Sequence, residues 1–103
     1  MKLSILLPVY NERQTIELLL KRVEAAPYEK EIILVDDGST DGTREILGRL
    51  ARDHRDQVHL FLHQQNRGKG AAIRTAIEHV TGDIVVIQDA DLEYDPQDYP
   101  ALL

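Results

Sequence analysis

The sequence predicts an α/β fold built on a parallel sheet, and three observations carry that expectation. Strand and helix signals alternate along the chain in the order βαβαβαβ, the pattern of right-handed crossover units. Near the end, Ile84-Val85-Val86-Ile87 runs without a polar break, as in a strand buried on both faces. Polar residues gather after the first, second and fourth strands, where an open α/β sheet binds its ligands.

Each element has its own signal. Leu3–Val9 is an apolar run and gives the first strand. Asn11 is placed to cap the next helix, with Gln14 at the capping-box position. Ile16, Leu19, Leu20 and Val23 recur on one helical face, and Pro27 ends that helix. Glu31–Val35 forms the second strand, stopping at Asp36-Asp37-Gly38-Ser39. A second helix is expected from Thr40 or Asp41, burying Ile46, Leu47 and Leu50. After a loop at His54-Arg55-Asp56, Val58, Leu60 and Leu62 alternate with His59, Phe61 and His63, the period of a strand near the sheet edge. The Asn66–Gly70 turn opens a third helix with Ile73, Ala76, Ile77 and Val80 toward the core. Gly82-Asp83 turns into the fourth strand.

Bulk properties bound the function. A chain of 103 residues fits one small domain, which buries roughly 65% of the surface its unfolded chain exposes. The net charge of -6 argues against nucleic acid as the main partner, because phosphate contacts need a basic face. The absence of cysteine excludes a disulfide framework and a zinc–thiolate site, and it is compatible with a reducing cytoplasmic setting. The apolar run after Met1 is too short for a signal peptide, with Pro8 and Asn11 following at once. No stretch is long and apolar enough to span a membrane. Asp95-Pro96 reads as a helix start, yet the sequence stops at Leu103, so a piece of a longer, truncated domain is expected. A fourth strand left as an apolar edge would invite another chain, giving a homodimer or a domain swap.

The candidate chemistry sits at the polar strand ends. Asp89, Asp91 and Glu93 alternate along an extended backbone, roughly 7 Å apart in successive pairs on one side. Gathered carboxylates repel unless a cation lies between them, and hard oxygen ligands suit Mg²⁺ or Mn²⁺. A solvated acidic loop is the alternative reading of the same residues. Tyr10 and Pro8 offer a flat apolar surface suited to a nucleobase, although Tyr10 would also pack at a sheet rim. Glu12 or Asp37 would accept from a base N–H or a ribose hydroxyl. Asp37-Gly38-Ser39 taken alone is also an ordinary turn.

Asn66-Arg67-Gly68-Lys69-Gly70 is neither a Walker A loop nor a dinucleotide fingerprint, since position 73 is Ile and the loop follows the third strand. It can still present backbone N–H groups at a helix start, with Arg67 and Lys69 near a phosphate; a solvated Lys69 is the alternative. His54, His59, His63 and His79 show no metal-ligand spacing and are read as surface or strand-rim residues outside the convergent edge. There is no Gly-x-Ser-x-Gly elbow and no cysteine nucleophile.

In order and combination, four stretches resemble the N-terminal half of the GT-A-fold, inverting family 2 glycosyltransferases, most closely the dolichyl- and polyprenyl-phosphate mannosyl- or glucosyltransferases. They are Leu6–Glu12, Ile33–Thr43, Asn66–Ala72 and Gly82 through Leu92. The resemblance implies a Rossmann-like three-layer α/β/α fold with a parallel sheet, here truncated to its nucleotide-sugar-binding part. It implies that Pro8, Tyr10, Glu12 and Asp37 bind base and ribose. It implies further that Asp89-Ala90-Asp91 is the Asp-x-Asp motif binding Mg²⁺ or Mn²⁺ and the diphosphate of a UDP- or GDP-sugar. Lys69 falls in the third matching stretch, and Glu93 stands where lipid-phosphate members often carry Gln and adds a third metal ligand. The acceptor site and any catalytic Asp belong to the other half of such a domain, so no catalytic residue is identified here and the isolated chain is expected to be inactive.

The expected reaction is inverting transfer of a sugar to an acceptor, with a polyprenyl or dolichyl phosphate as one candidate. An absent C-terminal part would bring the protein to the cytoplasmic membrane face. Two other readings compete. A sugar-nucleotidyltransferase would carry a glycine- and basic-rich loop after the first strand, where this chain has Pro8-Val9-Tyr10-Asn11-Glu12. A non-catalytic domain would bind partners through its exposed strand edge and tolerate loss of Asp89 and Asp91.

Overall fold

Seven elements alternate through residues 1–89, the part that this computed structural model describes. They are β1 (Leu3–Val9), α1 (Ile16–Ala25), β2 (Lys30–Asp37), α2 (Thr43–Asp53), β3 (Val58–His63), α3 (Lys69–Ile77) and β4 (Ile84–Ile87). The strands pair in parallel in the order β3-β2-β1-β4, so the expected element order and sheet type are both found.

Strand parity sorts the core into two layers. Leu3, Ile5, Leu7 and Val9 of β1 join Ile32 and Leu34 of β2 beneath α1 and α2. Leu6, Ile33 and Val35 face the other way and pack on Ala72 and Ala76 of α3. The result is a three-layer α/β/α arrangement. Ile16, Leu19, Leu20 and Val23 of α1 are all buried, as their spacing predicts. Each contributes about 1.5–3 kcal/mol by leaving water. Ala26, the last residue before Pro27, has ψ 133 in the extended region, where the proline ring pushes its neighbour, so α1 stops there.

Several boundaries differ from expectation. Asn11 does not cap α1, which begins five residues later with Thr15 at its N-cap and no side-chain cap bond. The Asn11 backbone is left-handed (φ 50), and its Oδ1 instead accepts the Thr40 N–H at 2.8 Å. β2 extends two residues past Val35, so Asp36 and Asp37 are strand residues and are buried. α2 starts at Thr43 because Gly42 is itself left-handed (φ 100). Asp41 Oδ1 accepts both the N–H and the hydroxyl of Thr43 there, which holds its carboxyl below the usual range. Ile46 is half-buried, whereas Leu47 and Leu50 are buried.

Four apolar positions are not where the sequence pattern puts them. Ile77 is exposed, because Ala71, Ala72 and Ala76 form the face of α3 that meets the sheet. Leu62 is also exposed, while Phe61 packs on the α3 side. β4 is not buried on both faces among the described residues. Val86 is buried on the α1 side, but Val85 (45%) and Ile87 (48%) are exposed on the other. β4 pairs only with β1 among the described strands and is an edge, as is β3.

Candidate functional site

Parallel pairing brings the ends of β1, β2 and β4 to one edge of the sheet. Val9 is in register with Asp36, and Leu6 with Ile87, so the residues that follow them emerge together. Between these ends lies a cleft of ≈ 270 Å³ lined by Pro8, Val9, Tyr10, Glu12, Asp37, Asn66, Lys69, Ala72 and Asp89. Six residues singled out from the sequence therefore share one concavity: Pro8, Tyr10, Glu12, Asp37, Lys69 and Asp89. Ala90, Asp91 and Glu93 lie outside the described residues.

Three loops are stitched together around the cleft. The Asn11 N–H donates to Ser39 Oγ at 2.9 Å, which ties the β1 turn to the β2 turn alongside the bond from Thr40. Gly38 sits where a side chain cannot. Its φ is +76, and an added Cβ would lie 2.5 Å from the Asn66 backbone nitrogen and from the Gln65 carbonyl carbon. The β2 turn and the loop before α3 thus touch backbone to backbone, an approach only glycine permits. Gly68, with positive φ (97), forms the N-cap of α3.

The two aspartates at the end of β2 point to opposite faces. Asp36 is fully buried on the α1–α2 side, where its Oδ2 accepts the Ser39 N–H at 3.3 Å and lies 3.6 Å from Arg44 Nε. Its Oδ1 is buried without a hydrogen-bond partner among the described residues. Asp37, on the α3 side, is well provided for. Oδ1 accepts the Arg67 N–H at 2.9 Å and Oδ2 accepts the Gly68 N–H at 2.9 Å. This carboxylate therefore holds the glycine loop in place as well as lining the cleft.

His63 is a site residue that sequence reasoning missed. It is buried, and its Nδ1 lies 2.9 Å from Asp37 Oδ1, contrary to its expected place on a solvated rim outside the convergent edge. Only half of the signal, the parity, lay in the sequence. His63 shares parity with Phe61 and pairs in register with Asp37, so both project onto the α3 face at the same level. His54, His59 and His79 are on the surface or half-exposed, away from the cleft lining.

The charge at the mouth is paired. Lys69, at the start of α3, reaches across to Asp89 Oδ1 just beyond β4. Tyr10 is 45% exposed with Pro8 half-buried beside it, an apolar wall open to solvent. Glu12 is half-buried and accepts the Thr15 hydroxyl at 3.1 Å. Among the described residues no group of three His, Asp or Glu side chains is assembled to hold a metal ion. Of the expected ligands, Asp89 lies among the described residues. Its hard carboxylate already attracts an ammonium at the cleft, a donor chemistry that fits Mg²⁺ or Mn²⁺.

Comparison with known proteins agrees with the fold. An undecaprenyl-phosphate 4-deoxy-4-formamido-L-arabinose transferase from Yersinia enterocolitica is 39% identical over 108 residues, covering 99% of this chain and 32% of the relative. A mannosyltransferase from Pyrobaculum calidifontis, solved in complex with GDP-Man and Mn²⁺, superposes with a TM-score of 0.84 at 38% identity, covering 96% of this chain and 30% of that one. TarS from S. aureus, in complex with UDP-GlcNAc, gives 0.82 at 28% identity, over 98% of this chain and 29% of that one. The chain thus spans about a third of the length of the curated relatives it matches. The model of glycosyl transferase family 2 matches residues 4–103, nearly all of the sequence, and the chain belongs to that family of enzymes.

Proposed function

We propose that this chain is the donor-binding part of a glycosyltransferase that moves a sugar from a UDP- or GDP-sugar to a polyprenyl phosphate with inversion, in a metal-dependent manner. The observation that carries the reading is the single cleft shared by Pro8, Tyr10, Glu12, Asp37, Lys69 and Asp89. Tyr10 and Pro8 form the apolar wall against which a nucleobase stacks. Glu12 and the remaining acceptor capacity of Asp37 take base N–H or ribose O–H donors. Lys69 and the N–H groups at the start of α3 supply positive potential for the diphosphate. Similarity to one relative bound to GDP-Man and another bound to UDP-GlcNAc supports a nucleotide-sugar donor.

Asp89, with Asp91 and Glu93 beyond it in sequence, would hold the divalent ion. When bound, that ion offsets the charge growing on the departing diphosphate. An acceptor oxygen attacks the anomeric carbon opposite the nucleoside diphosphate, and inversion follows from that direction. A lipid-phosphate acceptor is favoured by the undecaprenyl-phosphate relatives, and its oxygen is already anionic near neutral pH. A strong general base is then unnecessary. Such an acceptor places the whole protein at the cytoplasmic face of a membrane.

Thermal unfolding with UDP- and GDP-sugars tests this reading. A stabilisation that needs Mn²⁺ or Mg²⁺ and disappears in Asp91→Asn is expected. No shift with any nucleotide sugar and metal would overturn it.

A further inference from the structure

We infer that His63 is a positioning residue for the cleft. It fixes the Asp37 carboxylate, and through it the Arg67–Gly68 backbone, so that one acceptor site on Oδ2 is left for a nucleotide's donor group. The second clause rests on the nucleotide-binding reading above; the first rests on geometry alone.

The hydrogen-bond inventory of Asp37 is the starting point. A carboxylate oxygen accepts about two hydrogen bonds. Oδ1 receives two, from the Arg67 N–H at 2.9 Å and from His63 Nδ1 at 2.9 Å, and is filled. Among the described residues Oδ2 receives one, from the Gly68 N–H at 2.9 Å. Capacity for a ligand therefore remains on Oδ2, and Asp37 lines the cleft. Without the His63 contact Oδ1 would compete for the same ligand donor, and the carboxylate would be held by the Arg67 and Gly68 N–H groups alone.

His63 is in turn oriented from behind. Its Nε2 lies 2.8 Å from Thr75 Oγ1 on α3. A carboxylate only accepts, so Nδ1 carries the hydrogen of the Asp37 contact. In the neutral ring Nε2 is then the acceptor, and the Thr75 hydroxyl supplies the hydrogen. The chain Thr75–His63–Asp37 fixes the tautomer and the ring plane, as an outer partner does for a metal-bound histidine. Its backbone is fixed as well, because Arg44 Nη2 of α2 donates to the His63 carbonyl at 3.2 Å. The side chains of His63 and Asp37 are only 7% and 4% exposed, so water does not substitute for either contact.

The test uses the chain itself, with His63→Leu, His63→Asn and Thr75→Val. Amide exchange at Arg67 and Gly68 is read by NMR, with the β2 core amides as a folding control. Affinity for UDP and GDP is read by calorimetry in the presence of Mn²⁺, and Mn²⁺ affinity is read alone. His63→Leu should speed exchange at the two loop amides and weaken nucleotide binding about tenfold, the size of one hydrogen bond's net contribution. It should leave β2 exchange and Mn²⁺ affinity unchanged. His63→Asn carries a donor near the Nδ1 position and should restore both. Thr75→Val, which keeps the volume, should speed the same two amides even if His63→Leu does not fold. Unchanged Arg67 and Gly68 exchange in both His63→Leu and Thr75→Val would overturn the inference, as would a His63→Asn protein no better than His63→Leu. A wild-type chain that binds neither nucleotide would instead overturn the functional reading, and the exchange data would still decide the role of His63.

Discussion

Both edges of the sheet bury a carboxylate, and they use it in opposite ways. At the edge where the strands begin, Glu31 accepts Ser4 Oγ–H at 2.6 Å, the Thr81 N–H at 2.7 Å and the Thr81 hydroxyl at 2.8 Å, with Lys2 Nζ at 3.9 Å. The partners come from β1 and from the turn before β4, and the cluster closes on itself. At the edge where the strands end, Asp37 also gathers loop backbone, but it opens onto a cleft and keeps acceptor capacity on Oδ2. Burial and hydrogen bonding alone therefore do not mark a binding site. Glu31 Oε1, like Asp37 Oδ2, accepts one hydrogen bond among the described residues, so what sets Asp37 apart is the cleft it faces.

Glycines at the two edges offer the sharpest way to separate them. Both sit against backbone: a Cβ on Gly38 would meet Asn66 N at 2.5 Å, and one on Gly82 would meet Ser4 Oγ at 2.5 Å and Lys2 O at 2.8 Å. Gly38 also has positive φ. Gly38→Ala should cost about 2–4 kcal/mol, combining left-handed strain with overpacking. Gly82→Ala should cost about 1–3 kcal/mol from overpacking alone. Urea unfolding measures both. At a temperature where both remain folded, Gly38→Ala should lose nucleotide affinity and Gly82→Ala should keep it. Equal loss of affinity in the two would break the comparison.

Acid should act through the closed edge. Burial by itself would raise the Glu31 pKa, but the bonds from Ser4 and Thr81 and the charge of Lys2 outweigh it and leave the pKa lowered. A lowered folded pKa means stability that is present above the unfolded value of about 4.3. That stability is lost as pH falls through the folded value. Wild-type unfolding free energy should therefore drop below about pH 4.3, and Glu31→Gln should flatten that part of the profile. At pH 7 the same variant should lose about 1.5–3 kcal/mol, typical of hydrogen bonds to a charged group. Its nucleotide affinity should not change. An unaltered acid limb in Glu31→Gln would show that another group carries it.

Legibility in the sequence divided along the same line. Elements whose apolar residues answer to one period were plain: β1 and the core face of α1 follow from local spacing. The six cleft residues lie at or just past the ends of β1, β2 and β4 or at the start of α3, and parallel topology sends strand ends to one edge. What local spacing could not show was set by partners far along the chain. Asn11 looks like a cap until the loop at Ser39 and Thr40 is brought beside it. Ile77 looks like core until three alanines let α3 approach the sheet on another face. Val85 and Ile87 read as buried because a continuous apolar run does not say whether both of its faces are covered. His63 looked like a rim residue because its place beside Asp37 depends on register between strands, and neither residue alone carries that information.

The smallest expected effect on stability lies in the open edge's own ion pair. Lys69 and Asp89 are paired at the cleft mouth with side chains 58% and 27% exposed, so the contact adds little to folding. Lys69→Ala should shift unfolding by no more than about 0.5 kcal/mol, as for other exposed pairs. Its effect on binding should be larger and of two signs. The ammonium occupies the carboxylate that a divalent cation would take, so its removal should tighten binding of Mn²⁺ alone by a few-fold. It also removes positive charge from the start of α3, so UDP or GDP should bind more weakly even with Mn²⁺ saturating. Calorimetric titrations of metal alone and of nucleotide with metal separate the two. Opposite shifts would mean that Lys69 guards the carboxylate in the empty cleft and serves the diphosphate in the filled one. Parallel shifts would make it a surface lysine whose pairing with Asp89 has no part in binding, and the open edge would then owe its electrostatics to backbone N–H groups alone.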